Sequence, residues 1–143
     1  MTPMCGICGF SWPDQHLISR MTDAIEHRGP DQHGTYTEDG VSLGHRRLSI
    51  IDLSEQGRQP LSNEDGRIQV VFNGEIYNFA GIRADLEKKG HTFKSHTDTE
   101  TIVHAYEEYG AECVHQFQGM FAFAIWDSRS GTLFLARDRV GIK

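Results

Sequence analysis

Apolar residues recur along this chain with two different periods, and the changes between them mark out the elements. The run from residue 5 to residue 12 is short and largely apolar and predicts a first strand. Leu17, Ile18, Met21 and Ile25 then fall on one face of a helix over 17–26. His27-Arg28-Gly29-Pro30-Asp31 breaks regular structure and reads as a turn. A second strand is predicted over 41–52, where Leu48, Ile50 and Ile51 are apolar, and 54–66 is polar and loop-like. The continuous apolar run 68–72 predicts a buried strand, ended by a tight Asn73-Gly74 turn. A helix over 79–89 stops at Gly90. Thr97 and Glu100 form a capping box that opens a helix to Tyr109, closed by Gly110. Segments 120–126 and 132–136 flank Ser128-Arg129-Ser130-Gly131 and predict a hairpin. Strands come in groups with helices between them. This order favours an α+β arrangement, helices on antiparallel sheet, over a doubly wound parallel fold.

Composition narrows the class. A chain of 143 residues, 38% hydrophobic and 24% charged, can bury one core without staples. A net charge of −6 argues against nucleic acid as a partner, since phosphate binding needs clustered cations. No apolar run approaches the length of a membrane span, and no signal peptide precedes Cys5. Three cysteines, Cys5, Cys8 and Cys113, make no disulfide framework, which fits a reducing cytoplasm.

The chemistry concentrates at Cys5-Gly6-Ile7-Cys8-Gly9. A cysteine that becomes the first residue sits beside its own α-amine, whose pKa of about 7.7–8.0 suits it to take and return a proton. Met1-Thr2-Pro3-Met4 stands in the way, so this use of Cys5 requires a start at Met4 or removal of residues 1–4. The same segment is a C-x-x-C match, which raises redox or zinc chemistry. Residues three apart on a strand point to opposite faces, however, and no second C-x-x-C exists. Cys8 therefore reads as a small core residue. Met120 to Trp126 likewise reads as core rather than as a cofactor box.

Six motifs occur in one order: Cys5-Gly6-Ile7, His27-Arg28-Gly29-Pro30-Asp31, Gly44-His45-Arg46-Arg47-Leu48-Ser49, Asn73-Gly74-Glu75-Ile76-Tyr77-Asn78, Asp98-Thr99-Glu100, and Gly119-Met120-Phe121-Ala122-Phe123-Ala124. Together they resemble the glutaminase domain of class II glutamine amidotransferases. Pro30 and Glu75-Ile76-Tyr77-Asn78 are most similar to the branch of glutamine-hydrolysing asparagine synthetases. The resemblance covers the chain from Met4 to Lys143. It implies the N-terminal-nucleophile hydrolase fold, an αββα sandwich of antiparallel sheets, truncated at its C-terminal end. It divides the chain into residues 1–4, a leader or mis-assigned start, and residues 5–143, an incomplete glutaminase domain. The ATP-dependent synthetase domain is absent from these residues.

The resemblance also implies roles. Cys5 attacks the glutamine side-chain amide, and the Asn73 carboxamide with the Gly74 N–H holds the oxyanion. Arg47 grips the substrate α-carboxylate, as a bidentate guanidinium does, and Glu75 and Asp98 receive the α-amino group. Arg46 should face away from Arg47 if this is strand. His45 reads as a supporting residue, and residues 27 to 31 as a shaped loop. No metal ligands and no cofactor are expected in this chain, and ATP and magnesium belong to the synthetase domain. The expected partners are glutamine and an ATP-dependent synthetase domain or subunit, with homo-oligomer formation left open and nucleic acid and membrane excluded. Two other readings stay open: a truncated or regulatory glutamine-binding fragment without catalysis, and a C-x-x-C redox or metal-binding protein. Uncovered strand edges near the C-terminal end are expected to favour self-association.

Overall fold

The structure, a computed structural model, describes residues 4–48 and 57–143. Ser49 to Asp52 of the predicted second strand, and the first three residues of the predicted loop 54–66, lie outside the described residues.

Among the described residues, seven strands form two antiparallel sheets. The first sheet has the order β1-β3-β2, from β1 (Gly6–Phe10), β2 (Gln32–Glu38) and β3 (Val41–Arg47). The second has the order β4-β5-β6-β7, from β4 (Leu61–Ser62), β5 (Ile68–Ile76), β6 (Gly119–Asp127) and β7 (Thr132–Arg137). Helix α1 (Gln15–Ala24) packs on the first sheet. Helices α2 (Phe79–Lys88) and α3 (Asp98–Tyr109) cover the second. The layers therefore run helix, sheet, sheet, helix, as the resemblance implied.

Strand parity distributes the residues. Val41, Leu43, His45 and Arg47 of β3 point between the sheets, where Val41 and Leu43 meet Val71, Ala124 and Trp126. Ser42, Gly44 and Arg46 point to the α1 side, where the Arg46 guanidinium reaches the Thr22 carbonyl and Asp23. The larger core lies between the second sheet and α2 and α3, built on Ile68, Val70, Phe72, Ile102, Phe123 and Ile125 among others. Polar ties cross the inter-sheet space as well. His45 Nε2–H donates to the Phe72 carbonyl at 3.1 Å, and Trp126 Nε1–H donates to Glu38 at 2.6 Å.

Several elements differ from expectation. Asn73-Gly74 is no turn: both residues lie inside β5, paired with Ala122 and Phe121 of β6. The strand extends to Ile76 because β6 offers a partner along its whole length, a tertiary effect that overrides local turn chemistry. Gly74 is needed there all the same. Its φ is +152°, and a Cβ would collide with the Met120 carbonyl of β6. Strand β2 was not predicted, since Gln-His-Gly-Thr-Tyr-Thr-Glu carries little apolar signal and forms a sheet edge. The two-residue β4 lies within the predicted loop 54–66. The capping box at α3 is half formed. The Thr97 hydroxyl accepts from the Glu100 N–H at 3.4 Å, but the Glu100 carboxylate turns instead to the N–H groups of Lys94 and Ser95. The predicted hairpin is β6–β7.

Candidate active site

The site forms where the first sheet meets the second sheet and the start of α3. The β1–β3 register pairs Gly6 with Arg46, and one step further brings Cys5 beside the end of β3. The Leu48 N–H donates to Cys5 Sγ at 3.4 Å, and the thiol lies 3.7 Å from the Leu48 carbonyl. Arg28 fixes this entry from the other side, donating to the carbonyls of Met4 and Cys5 at 3.4 and 3.5 Å. The loop of residues 27 to 31 thus has a definable task. Gly29 packs on the backbone of Arg46 and Arg47, where any Cβ would clash, and the Asp31 N–H bonds the Arg47 carbonyl at 3.1 Å.

A cavity of about 110 Å³ opens beside the Cys5 thiol, lined on its polar sides by Arg47, Gln59, Glu75, Thr97, Asp98 and Thr99. Leu48, Gly57, Phe72 and Gly74 complete the wall. That volume is far below the roughly 300–1,000 Å³ of drug-sized ligand sites, and it suits an amino acid rather than a nucleotide. The Arg47 guanidinium is positioned by the Gln32 side chain at 2.7 Å, and Gly57 leaves it room, since a Cβ there would strike it. Arg46 is committed elsewhere, paired with Asp23 at 2.7 Å and Glu26 at 3.7 Å. The adjacent arginines thus take opposite faces, as expected of a strand.

Asp98 begins α3 and is buried. Its carboxylate accepts the Ile76 N–H of β5 at 2.9 Å, which ties the helix start to the strand carrying Gly74 and Glu75. Burial pushes its carboxyl up to about 6, helped by the nearby Glu75 charge and resisted by backbone hydrogen bonds. Burial also raises the Cys5 thiol, although the Leu48 bond and the Arg47 charge work against it. The Cys5 thiol is therefore not a standing thiolate, and a base is needed to use it as a nucleophile. His45 cannot be that base: burial drives it down to about 4, and its Nε2 is occupied by the Phe72 carbonyl.

Of the residues singled out in the sequence, Cys5, Arg47, Gly74, Glu75 and Asp98 converge on one cavity. Asn73 does not line it. Its position in β5 places it on the same strand face as Val71, and its carboxamide has no hydrogen-bond partner among the described residues. Cys8 lies under α1, 3.7 Å from the Thr22 hydroxyl, on the face opposite to Cys5, so the two thiols do not form a pair. Sequence reasoning missed Gln59. Its buried carboxamide accepts the Phe72 N–H at 2.7 Å and donates to Thr99 at 3.2 Å, bracing β5 against α3 under the cavity. It sits in a polar segment that carries no local signal of burial. Thr97 was seen only as a cap, and Thr99 was not singled out for any role. Among the described residues, the one set of donors with metal-type spacing lies outside this cavity, farther along α3.

The layered fold is that of a glutamine amidotransferase domain. The family model for the glutamine amidotransferase domain matches residues 4–143, and the chain belongs to that family. It is 44% identical over 148 residues to asparagine synthetase [glutamine-hydrolyzing] 1 of Bacillus subtilis, covering 98% of this chain and 23% of that protein. It is 45% identical over 148 residues to asparagine synthetase 2 of the same organism, covering 98% of this chain and 19% of that one. The chain thus spans less than a quarter of the length of either relative. Among solved structures, the glutamine phosphoribosylpyrophosphate amidotransferase of Bacillus subtilis matches with a TM-score of 0.75 over 98% of this chain and 38% of that one. At 19% identity that likeness speaks for the fold. No helix among the described residues is long and apolar enough to cross a membrane.

Proposed function

We propose that the chain hydrolyses glutamine to glutamate and ammonia through a thioester on Cys5. The observation that carries this reading is the placement of one thiol, one guanidinium and two carboxylates around an amino-acid-sized cavity. An α-amino acid offers the complementary charges, with its carboxylate toward Arg47 and its ammonium toward Glu75 and Asp98. Its side-chain amide then points at the Cys5 sulfur.

Cys5 needs a base, and its own α-amine is the nearest candidate once the Met4–Cys5 bond is cut. The amine takes the thiol proton as sulfur adds to the amide carbon, and the Gly74 N–H, with Asn73 if its carboxamide turns inward, receives the oxyanion. The amine returns the proton to the departing nitrogen, so ammonia leaves and a glutamyl thioester remains. Water, deprotonated by the same amine, attacks the thioester. Glutamate and free Cys5 result. Removing one oxyanion donor typically costs about 2.7–4 kcal/mol of barrier.

The ammonia serves amide formation, with aspartate as acceptor and ATP as activator, on a synthetase domain or subunit, and this is supported by the relatives' being named glutamine-hydrolysing asparagine synthetases. The three unpaired cysteines fit a cytoplasmic setting. The test is ammonia release from glutamine by protein whose intact mass shows residues 1–4 removed, beside the same material carrying Cys5→Ala. Activity in the Cys5→Ala variant, or full activity in protein retaining Met1, would end this reading.

A further inference from the structure

Four side chains from three separated segments meet away from the cavity. His104 and Glu107 lie three residues apart on α3 and share a face. The connection between β4 and β5 brings Glu64, and the segment after α2 brings His91. One donor atom from each of the four lies within 4.8 Å of all the others. His104 Nδ1 stands 3.5 Å from Glu64 Oε2 and 3.6 Å from Glu107 Oε2, and His91 Nδ1 stands 3.6 Å from Glu107 Oε2. These spacings are long for hydrogen bonds. Three of the six edges of the set thus match those of a metal tetrahedron, because ligands about 2.0–2.2 Å from a zinc ion stand about 3.3–3.6 Å from one another, and the other three edges lie within 4.8 Å.

The polar bookkeeping points the same way. His104 is 1% exposed, and neither of its ring nitrogens has a hydrogen-bond partner among the described residues. Glu107 Oε2 also lacks one. The buried imidazole has only carboxylates at 3.5–3.6 Å around its nitrogens and no close partner, which a metal ion at Nδ1 would supply. The remaining oxygens are already committed: Glu64 Oε1 accepts the Thr92 N–H at 3.0 Å, and Glu107 Oε1 accepts from Asn63 at 3.1 Å. On each carboxylate the oxygen turned to the cluster is the other one. Behind the ring of His91, Nε2 faces Glu108 at 3.2 Å, and behind that of His104, Nε2 faces Glu100 at 3.6 Å. A carboxylate behind the histidine is the usual support of a metal-bound imidazole.

We propose that Glu64, His91, His104 and Glu107 bind one divalent transition-metal ion of the zinc type. Two neutral imidazoles and two carboxylates balance its charge. The mixed nitrogen and oxygen set favours zinc over magnesium, which prefers oxygen ligands in an octahedron. Four protein ligands close the coordination sphere, so the site is structural. It pins the β4–β5 connection and the segment after α2 to α3, whose first turn carries Asp98 and Thr99 into the cavity.

The chain is stripped with a chelator, and Zn²⁺ alone is titrated at pH 7.5 by calorimetry, with Mg²⁺ as counter-probe. One Zn²⁺ per chain is expected, with X-ray absorption fitted by nitrogen and oxygen at about 2.0–2.2 Å. At a hundredfold excess over Kd, the melting temperature should rise by about 9 °C. Glu64→Gln, on a surface connection, and Glu108→Gln, behind His91, should each weaken binding by about tenfold or more while circular dichroism stays unchanged. Absence of Zn²⁺ uptake by the folded chain would overturn the proposal and leave a shared proton on His104 as the cluster's content. Sulfur neighbours at about 2.3 Å, or unchanged affinity in both variants, would also overturn it, because the metal would then sit elsewhere.

Discussion

Asp98→Asn should stabilise the ligand-free protein at neutral pH and spoil its affinity for glutamine. The carboxyl at position 98 is raised from 3.8 to about 6, chiefly by burial and then by the Glu75 charge. At 1.36 kcal/mol per pH unit this corresponds to about 3 kcal/mol. The folded state holds the proton more tightly than the unfolded state does. The stability this group contributes is therefore full below pH 3.8 and is lost as pH rises through about 6. At pH 7.5 the whole cost is present. An asparagine keeps an oxygen for the Ile76 N–H and buries no charge. It gives up a favourable acid in the first turn of α3, worth about 0.3–1 kcal/mol, so the desolvation effect wins. A net gain of about 2 kcal/mol corresponds to a rise in Tm of about 7 °C for a chain of this length. Calorimetry of both proteins at pH 4 and 7.5 measures it, and the gap should close at pH 4. On the glutamine side, losing a charge-assisted contact costs about 1.5–3 kcal/mol, or a 10- to 150-fold rise in KM. A variant less stable than wild type at pH 7.5, or a gap of equal size at both pH values, would refute the reasoning.

Cys5→Ala should abolish ammonia release while Cys8→Ala keeps most of it, because Cys8 faces α1 and not the cavity; equal loss in both would revive the paired-thiol reading. Arg47→Lys should raise KM for glutamine about tenfold or more, whereas Arg46→Lys, committed to Asp23 and Glu26, should act on stability rather than on KM. His45 is driven from 6.5 down to about 4, first by burial. Its contribution is full above pH 6.5 and is lost as pH falls toward 4, about 3 kcal/mol in all. His45→Gln, which can still donate to the Phe72 carbonyl, should remove that acid sensitivity in thermal melts, and an unchanged profile would count against it.

Much of this fold was legible because its cores follow simple periods. The α1 and α3 patterns, the stops at Gly90 and Gly110 and the β6–β7 hairpin all depend on residues close in sequence. What escaped depends on partners distant in sequence. Asn-Gly favours a turn locally, but nine registered pairs with β6 hold β5 straight through it. Strand β2 has almost no apolar signature and exists because β3 offers it an edge. Residue types and order pointed to Cys5, Arg47, Asn73, Gly74, Glu75 and Asp98, and all of these but Asn73 line one cavity. Gln59, buried between Phe72 and Thr99, was invisible, since nothing local distinguishes a bracing glutamine from a solvated one. The Glu64–His91–His104–Glu107 cluster spans 44 residues, and only the His-x-x-Glu spacing on α3 offered a hint of it.

The buried polar groups of the cavity floor converge on a single stretch of β5. His45 bonds the Phe72 carbonyl, Gln59 bonds the Phe72 N–H, and Asp98 bonds the Ile76 N–H. Gly74 and Glu75 lie between these anchors, so the wall facing Cys5 is held from the first sheet, from the 57–60 segment and from α3 together. Two of the three anchors are ionisable groups held away from their ordinary values, and their stability windows nearly coincide with opposite sign. Wild-type protein should therefore look almost flat between pH 4 and 6.5 as far as these two groups decide it. Asp98→Asn should unmask the His45 slope, with stability rising with pH, and His45→Gln should unmask the Asp98 slope, with stability falling. The double variant should be flat again. Such a pattern would show that the floor carries buried ionisable groups whose costs offset one another.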